Sequence, residues 1–227
     1  MTDDLAIASL ALARRFAAGA TLWCWSPAWP HHAAHVAVEF VHPVIMGKRA
    51  LPAAVVEGTA AVGSLRALSA PGDCLLVLAD AADEVVGDVM RRAPAWGVTT
   101  FWMGFGARPA AGAADHVLWL DEADVDAVHD GRAVQLYHVL WELTHVCFEH
   151  PGLLDDRAGG CDDTVCITCS DEGRLAEVVE GAADAATVRT ASGIEQVDVS
   201  LVGPVHRDDL LLIHAGMALD RVGPAPL

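Results

Sequence analysis

Residues Cys74-Leu-Leu-Val-Leu-Ala79 form an unbroken apolar run, entered through the turn text Pro71-Gly72-Asp73. A strand with one wet face alternates apolar and polar residues, whereas a run without a polar member needs cover on both sides. Such strands belong to parallel sheets, whose crossovers are helices. The flanking text keeps the same rhythm. A helix is expected over 3–18, with Leu5, Leu12 and Phe16 on one stripe and Gly19 as C-cap. Strand 21–25, helix 31–41 stopped by Pro43, and strand 52–56 follow. After the 74–79 strand come helix 83–92, strands 98–103 and 116–120, and a long helix 130–149 ended by Pro151-Gly152. A doubly wound parallel α/β domain is therefore expected over residues 1–157.

Asp155-Asp-Arg-Ala-Gly-Gly160-Cys-Asp-Asp163 is polar and glycine-rich, which marks a linker. Beyond it the period shortens. Leu175–Val179, Ala186–Thr190, Glu195–Val199 and Leu210–His214 read as short strands separated by turn signals such as Gly181 and Ser192-Gly193. A small antiparallel, OB-like β-barrel is expected over 158–227.

Charge narrows the function classes. The chain has 14 basic against 31 acidic residues, a net charge of −17. Phosphate backbones and anionic lipid surfaces both require clustered Lys and Arg, so neither nucleic acid nor a membrane surface is an expected partner. The start, Met-Thr-Asp-Asp, is acidic where a secretory signal is basic, and no apolar run approaches the ~18 residues of a spanning helix. A cytoplasmic location is expected, with the six cysteines as thiols or metal ligands before disulfides.

Several residues can carry chemistry. His35 and Glu39 lie one turn apart on a helix face, a spacing that suits a shared metal and equally a solvated i,i+4 pair. His138, Glu142, His145 and Glu149 fall on one stripe of the long helix, read as solvent-facing. Trp25 and Trp29 flank a loop where they either join the core or floor a pocket. Gly104-Phe-Gly106 is a lone G-x-G without a third glycine, too little for a dinucleotide site. Cys161, Cys166 and Cys169 form C-x4-C-x2-C, without the fourth cysteine of an iron–sulfur set or the second pair of a zinc knuckle. A zinc or thiol redox protein built on the C-x-x-C is one reading of it.

Two segments resemble known families. Cys166-Ile-Thr-Cys169-Ser-Asp-Glu-Gly, followed by Asp209-Leu-Leu-Leu-Ile-His214-Ala-Gly-Met-Ala218, resembles the HypC/HupF hydrogenase maturation chaperones. Those are small barrels with an essential opening cysteine and a late His-x-Gly-x-Ala segment. The resemblance implies a chaperone and carrier in [NiFe]-hydrogenase maturation rather than an enzyme. Cys166 would hold an iron fragment bearing cyanide and carbonyl, with His214 beside it. The partners would be a HypD-like scaffold and the hydrogenase large-subunit precursor. The family's cysteine follows the initiator methionine, whereas here it is internal, so it offers no free α-amine.

The first domain resembles the sugar isomerase (SIS) fold, in particular the sedoheptulose-7-phosphate isomerase branch. The likeness rests on the strand pattern, Cys24 ahead of His35-x-x-x-Glu39, and Leu136-Tyr-His138-Val-Leu-Trp-Glu-Leu. It implies Glu39 and His138 as the proton-transfer pair of an aldose–ketose isomerase. It further implies His35, Glu39, His138 and Asp130 as zinc ligands, and a homo-oligomer, commonly a dimer. Two loops depart from the family. Trp25-Ser-Pro-Ala-Trp29 and Leu78-Ala-Asp80-Ala-Ala-Asp83 stand where glycines and serines hold phosphate. A carboxylate ~5 Å from a phosphate charge costs on the order of 3 kcal/mol at an effective dielectric of 20. The expectation is a repurposed SIS domain that mediates dimerisation or binds a carbohydrate derivative. The alternative is a metal-dependent phosphosugar isomerase with a regulatory barrel.

Overall fold

The computed structural model describes residues 2–58, 61–120, 131–154 and 173–223. It divides into two compact units, Met1–Arg91 with Thr99–Asp156, and Arg92–Val98 with the chain from 157 onward.

The first unit is built on five parallel strands, β1 (Leu22–Trp25), β2 (Ala53–Val55), β3 (Cys74–Leu78), β4 (Thr99–Phe105) and β5 (His116–Leu120), in the order β2-β1-β3-β4-β5. Every residue of β3 is buried, as its unbroken apolar run requires. Among the described residues five α-helices accompany the sheet: α1 (Thr2–Ala17), α2 (Pro30–Val41), α3 (Ala61–Leu68), α4 (Glu84–Arg92) and α5 (Arg132–Glu149). Leu12 and Phe16 of α1, Val36 and Phe40 of α2, and Leu136 and Leu140 of α5 share one core with the strands. The chain steps from β1 to β2 in one direction and from β2 past β1 to β3 in the other. Right-handed crossovers therefore place α3 and α4 on the face opposite α2. That reversal makes a topological switch point between β1 and β3, where α/β sheets open a crevice beyond the carboxyl ends of their strands.

Two details tie sequence to packing. Asp73, ahead of β3, is buried and accepts from Thr21 N, Trp23 Nε1 and Ala70 N, which docks the start of β1 onto the 70–73 turn. Gly104 has a packing role: a Cβ there would collide with the Ala79 carbonyl and the Trp119 ring. The eight-residue helix α3, interrupted by Gly63, carries no periodic signal long enough to be expected from sequence.

The second unit contains a closed five-stranded barrel of β6 (Arg174–Gly181), β7 (Ala185–Thr190), β8 (Gly193–Asp198), β9 (Leu210–His214) and β10 (Met217–Arg221), in the order β10-β8-β7-β6-β9. Val178, Val188, Val197, Leu211, Ile213 and Ala218 fill it. It differs from the expected all-antiparallel barrel in one place. β10 meets β8 in parallel at Met217 and Asp198, because β10 must lie between β9, its hairpin partner, and β8 to close the ring. The fifth strand, β10, begins inside the His214–Ala218 segment.

Candidate functional site

α2 and α5 pack against each other, and their facing turns bring together three of the sequence-predicted residues. His35 Nε2 lies 3.3 Å from Glu39 Oε1 and 3.2 Å from His138 Nε2, and His138 Nε2 lies 3.7 Å from Glu39 Oε1. The expected solvated helix pair is thus one edge of a triangle closed from the other helix. Glu39 is the most enclosed corner, its side chain 17% exposed against 37% for His35 and 46% for His138.

A proline fixes this meeting. The carbonyl of Glu39 would ordinarily accept from the N–H four residues on, but that residue is Pro43, which has none. Trp141 Nε1 donates to that carbonyl instead, at 2.8 Å. Trp141 lies on the His138 turn of α5, so the bond sets the register in which His138 faces Glu39.

Behind the triangle stands a residue that the sequence did not single out. Tyr137 is 1% exposed, and its hydroxyl lies 2.8 Å from His35 Nδ1 and 3.3 Å from His32 Nδ1. Burial, and then the charge of Glu39, push its hydroxyl up to about 12, so the group stays protonated at neutral pH. It can both accept and donate. When His35 carries its proton on Nδ1 it donates to Tyr137, which donates onward to His32, and His35 Nε2 keeps its lone pair for a ligand. When the proton moves to Nε2, His35 donates to Glu39 and Tyr137 donates back to His35. The only sequence sign of this role was an aromatic residue adjoining His138.

The donor set fits a divalent cation. Bonds of 2.0–2.1 Å to a tetrahedral ion separate neighbouring ligand atoms by about 3.3–3.4 Å. Separations of 3.2, 3.3 and 3.7 Å lie close to that edge. Two imidazoles and a carboxylate are a zinc-type set with a fourth position left open. Asp130, the other ligand that the resemblance implied, lies outside the described residues, as do Cys161, Cys166 and Cys169.

A groove of about 370 Å³ opens beside the triangle, lined by Glu39, Val44, Ile45, His138 and Trp141. Its outer wall, residues 42–50, is fastened to α5. Lys48 Nζ bonds Glu149 at 2.8 Å and Glu142 at 3.2 Å, contacts that raise the lysine pKa and lower that of Glu149. His145 corrects the expected solvent-facing stripe. It is 1% exposed, with Nδ1 2.9 Å from the Trp141 carbonyl and Nε2 3.1 Å from that of Arg49. The stripe faces solvent only where the 42–50 segment leaves it bare.

At the carboxyl rim of the sheet, Trp25 is core, 1% exposed, with its indole N–H on the Gly58 carbonyl at 3.3 Å. Trp29 is half-buried and packs on Phe105, ring centroids 5.1 Å apart. Cys24, Cys74 and Cys147 are buried free thiols whose pKa values burial raises, which suits packing rather than nucleophilic chemistry. In the barrel, His214 ends β9, and Ala215 and Gly216 form the turn into β10, both with positive φ (48° and 78°) as a two-residue hairpin of this hand requires. Ala218 is fully buried, so the glycine and the last alanine of the His-x-Gly-x-Ala text each have a structural duty.

Comparison with solved structures places the first unit in a known fold. The chain resembles a phosphoheptose isomerase from Francisella tularensis (TM-score 0.56, 16% identity, 63% of this chain and 86% of that one). It also resembles a phosphoheptose isomerase from Neisseria gonorrhoeae (TM-score 0.52, 13% identity, 63% and 85%). The SIS-type α/β fold is common to them. No protein-family model and no curated protein matches the chain. Among the described residues no helix is long and apolar enough to cross a membrane.

Proposed function

We propose that the first unit is an aldose–ketose isomerase-type domain that moves a proton between adjacent carbons of an open-chain carbohydrate derivative. The observation that carries this reading is the convergence of His35, Glu39 and His138 beside an open groove. Glu39 takes the proton from the carbon next to the carbonyl and returns it to the neighbouring carbon. His138 gives a proton to the carbonyl oxygen as it becomes a hydroxyl and accepts one from the hydroxyl that becomes the new carbonyl. The proton count is unchanged across the cycle. Tyr137 holds His35, and His35 with Glu39 and His138 would hold a divalent cation, zinc by donor type. Ligation would occupy the His138 Nε2 lone pair and leave Glu39 its second carboxylate oxygen as base. With the ion bound, its Lewis acidity would take the place of His138 at the sugar oxygen. When bound, that ion would polarise the sugar oxygen. The test is exchange of the substrate C1 and C2 hydrogens with deuterated water, followed by NMR on the full chain across a panel of aldoses and ketoses. Exchange that falls by about 10²–10⁴-fold in Glu39→Gln supports the reading. Exchange that persists in Glu39→Gln, or that is absent from every sugar, refutes it.

A second reading is favoured by the closed barrel that follows the Cys166-x-x-Cys169 text and ends β9 on His214. In it the whole chain serves [NiFe]-hydrogenase maturation. Cys166 carries an iron fragment with cyanide and carbonyl ligands between a HypD-like scaffold and the large-subunit precursor, while the SIS-type unit dimerises the carrier. Anaerobic co-purification with a maturation scaffold should then show cyanide and carbonyl infrared bands, lost in Cys166→Ala and kept in Cys161→Ala. Equal loss in both variants would favour a three-thiol metal site and remove this reading.

A further inference from the structure

Resting on the isomerase-type reading, we infer that the substrate of this site is an unphosphorylated sugar, because the switch-point crevice is closed to a phosphate group by the protein's own groups. The β1–α2 and β3–α4 loops adjoin there, the Ser26 hydroxyl donating to the Leu78 carbonyl at 2.7 Å. α2 and α4 both start at this rim, and helix N-termini are where α/β folds ordinarily hold phosphate, on free backbone N–H groups and the positive end of the helix dipole.

At both helix starts part of that donor set is missing or already spent. The first residue of α2 is Pro30, which has no N–H, and the N–H of His32 is already given to the Trp29 carbonyl at 2.9 Å. The Ser26 hydroxyl, the only hydroxyl of that loop, is spent on Leu78. In α4, Asp83 Oδ1 accepts from Val85 N at 3.0 Å and Val86 N at 3.1 Å, and Asp80 Oδ1 takes Ala82 N at 2.8 Å. A carboxylate is therefore seated where a phosphate oxygen would sit, and Glu84 adds a second negative charge to the same helical turn.

The charge around the rim repeats the message. The described residues that leave the carboxyl ends of β1, β2 and β3 are 26–29, 56–58 and 79–83, and the connection after β4 holds Arg108, which lies 3.7 Å from Asp4 Oδ2. The stretches after β1, β2 and β3 contain no Lys or Arg among the described residues and carry the carboxylates Glu57, Asp80 and Asp83. Such a rim repels a dianion and supplies acceptors for sugar hydroxyls. The half-buried Trp29 ring, braced on Phe105, offers an apolar face of the kind that stacks on the C–H side of a neutral sugar. α2 also carries the reacting groups. His35 and Glu39 lie five and nine residues beyond Pro30 on that helix.

The experiment is a binding comparison on the full chain, by calorimetry or saturation-transfer NMR. D-sedoheptulose and free pentoses and hexoses are set against their phosphate esters and against inorganic phosphate. The expected result is at least about tenfold tighter binding of a free sugar than of its phosphate ester, a ratio worth about 1.4 kcal/mol, with no competition from phosphate. Asp83→Ser, which keeps a neutral N-cap, should narrow that gap by raising the affinity for the ester. A phosphate ester that binds as tightly as its free sugar in the wild-type chain, or inorganic phosphate that displaces the free sugar, overturns the inference and leaves the isomerase-type reading standing. If neither class of sugar binds at millimolar concentration, the inference and that reading fall together.

Discussion

Replacing Tyr137 with phenylalanine removes one buried oxygen and leaves the ring, so it isolates what the hydroxyl does for His35. The hydroxyl makes contacts of 2.8 Å to His35 Nδ1 and 3.3 Å to His32 Nδ1 at a position 1% exposed. Two neutral hydrogen bonds, each worth about 0.5–1.5 kcal/mol net, put the stability loss at about 1–3 kcal/mol. The larger question is affinity for a divalent ion. With the hydroxyl gone, nothing holds the His35 proton on Nδ1, and the tautomer that donates from Nε2 to Glu39, 3.3 Å away, is favoured. Loss of such an orienting partner weakens metal binding by about 10–100-fold. The assay is competition for zinc against a chromophoric chelator on the full chain, paired with urea unfolding, with His35→Ala as the variant that lacks the ligand itself. The variant Tyr137→Phe should fall between wild type and His35→Ala in zinc affinity. If stability drops by the amount above while zinc affinity stays at the wild-type value, the hydroxyl is a packing contact and the orienting argument is wrong.

Gly104→Ala places a methyl group against the Ala79 carbonyl and the Trp119 ring, and overpacking of that kind should cost about 1–3 kcal/mol, read as a lower urea midpoint. His116 stacks on Phe101, ring centroids 4.7 Å apart, and burial lowers its pKa, an effect that the charge of Asp115 opposes. Its folded pKa therefore lies below the unfolded value of about 6.5, so the unfolded chain binds the extra proton first. The contribution is fully present above about pH 6.5 and is lost as pH falls through the folded pKa; His116→Phe should flatten the fall in urea midpoint over that window. Lys48→Met severs bonds to two half-exposed carboxylates and should show as faster hydrogen exchange in 42–50 rather than as global unfolding.

Local periodicity carried most of the architecture. The apolar run at 74–79 announced a strand covered on both faces, and β3 is buried along its whole length. The alternation of strands with helical stretches announced the parallel sheet, and the shorter period beyond residue 174 announced the barrel. These signals are legible because a strand or helix repeats its environment every two or 3.6 residues. The spacing of His35 and Glu39 placed them on one helical face for the same reason. What spacing cannot contain is the identity of the group across the gap. His138 completes the triangle from the other helix, where Pro43 leaves the Glu39 carbonyl without its helical donor and Trp141 supplies one from α5. Tyr137 reaches His35 by a tertiary contact, and His145 leaves solvent only when the 42–50 segment folds over it. The strand β10 closes the barrel through a single parallel pairing with β8. In each case a long-range contact, with no trace in the local pattern, decided whether a polar side chain faces water, a neighbour or a ligand.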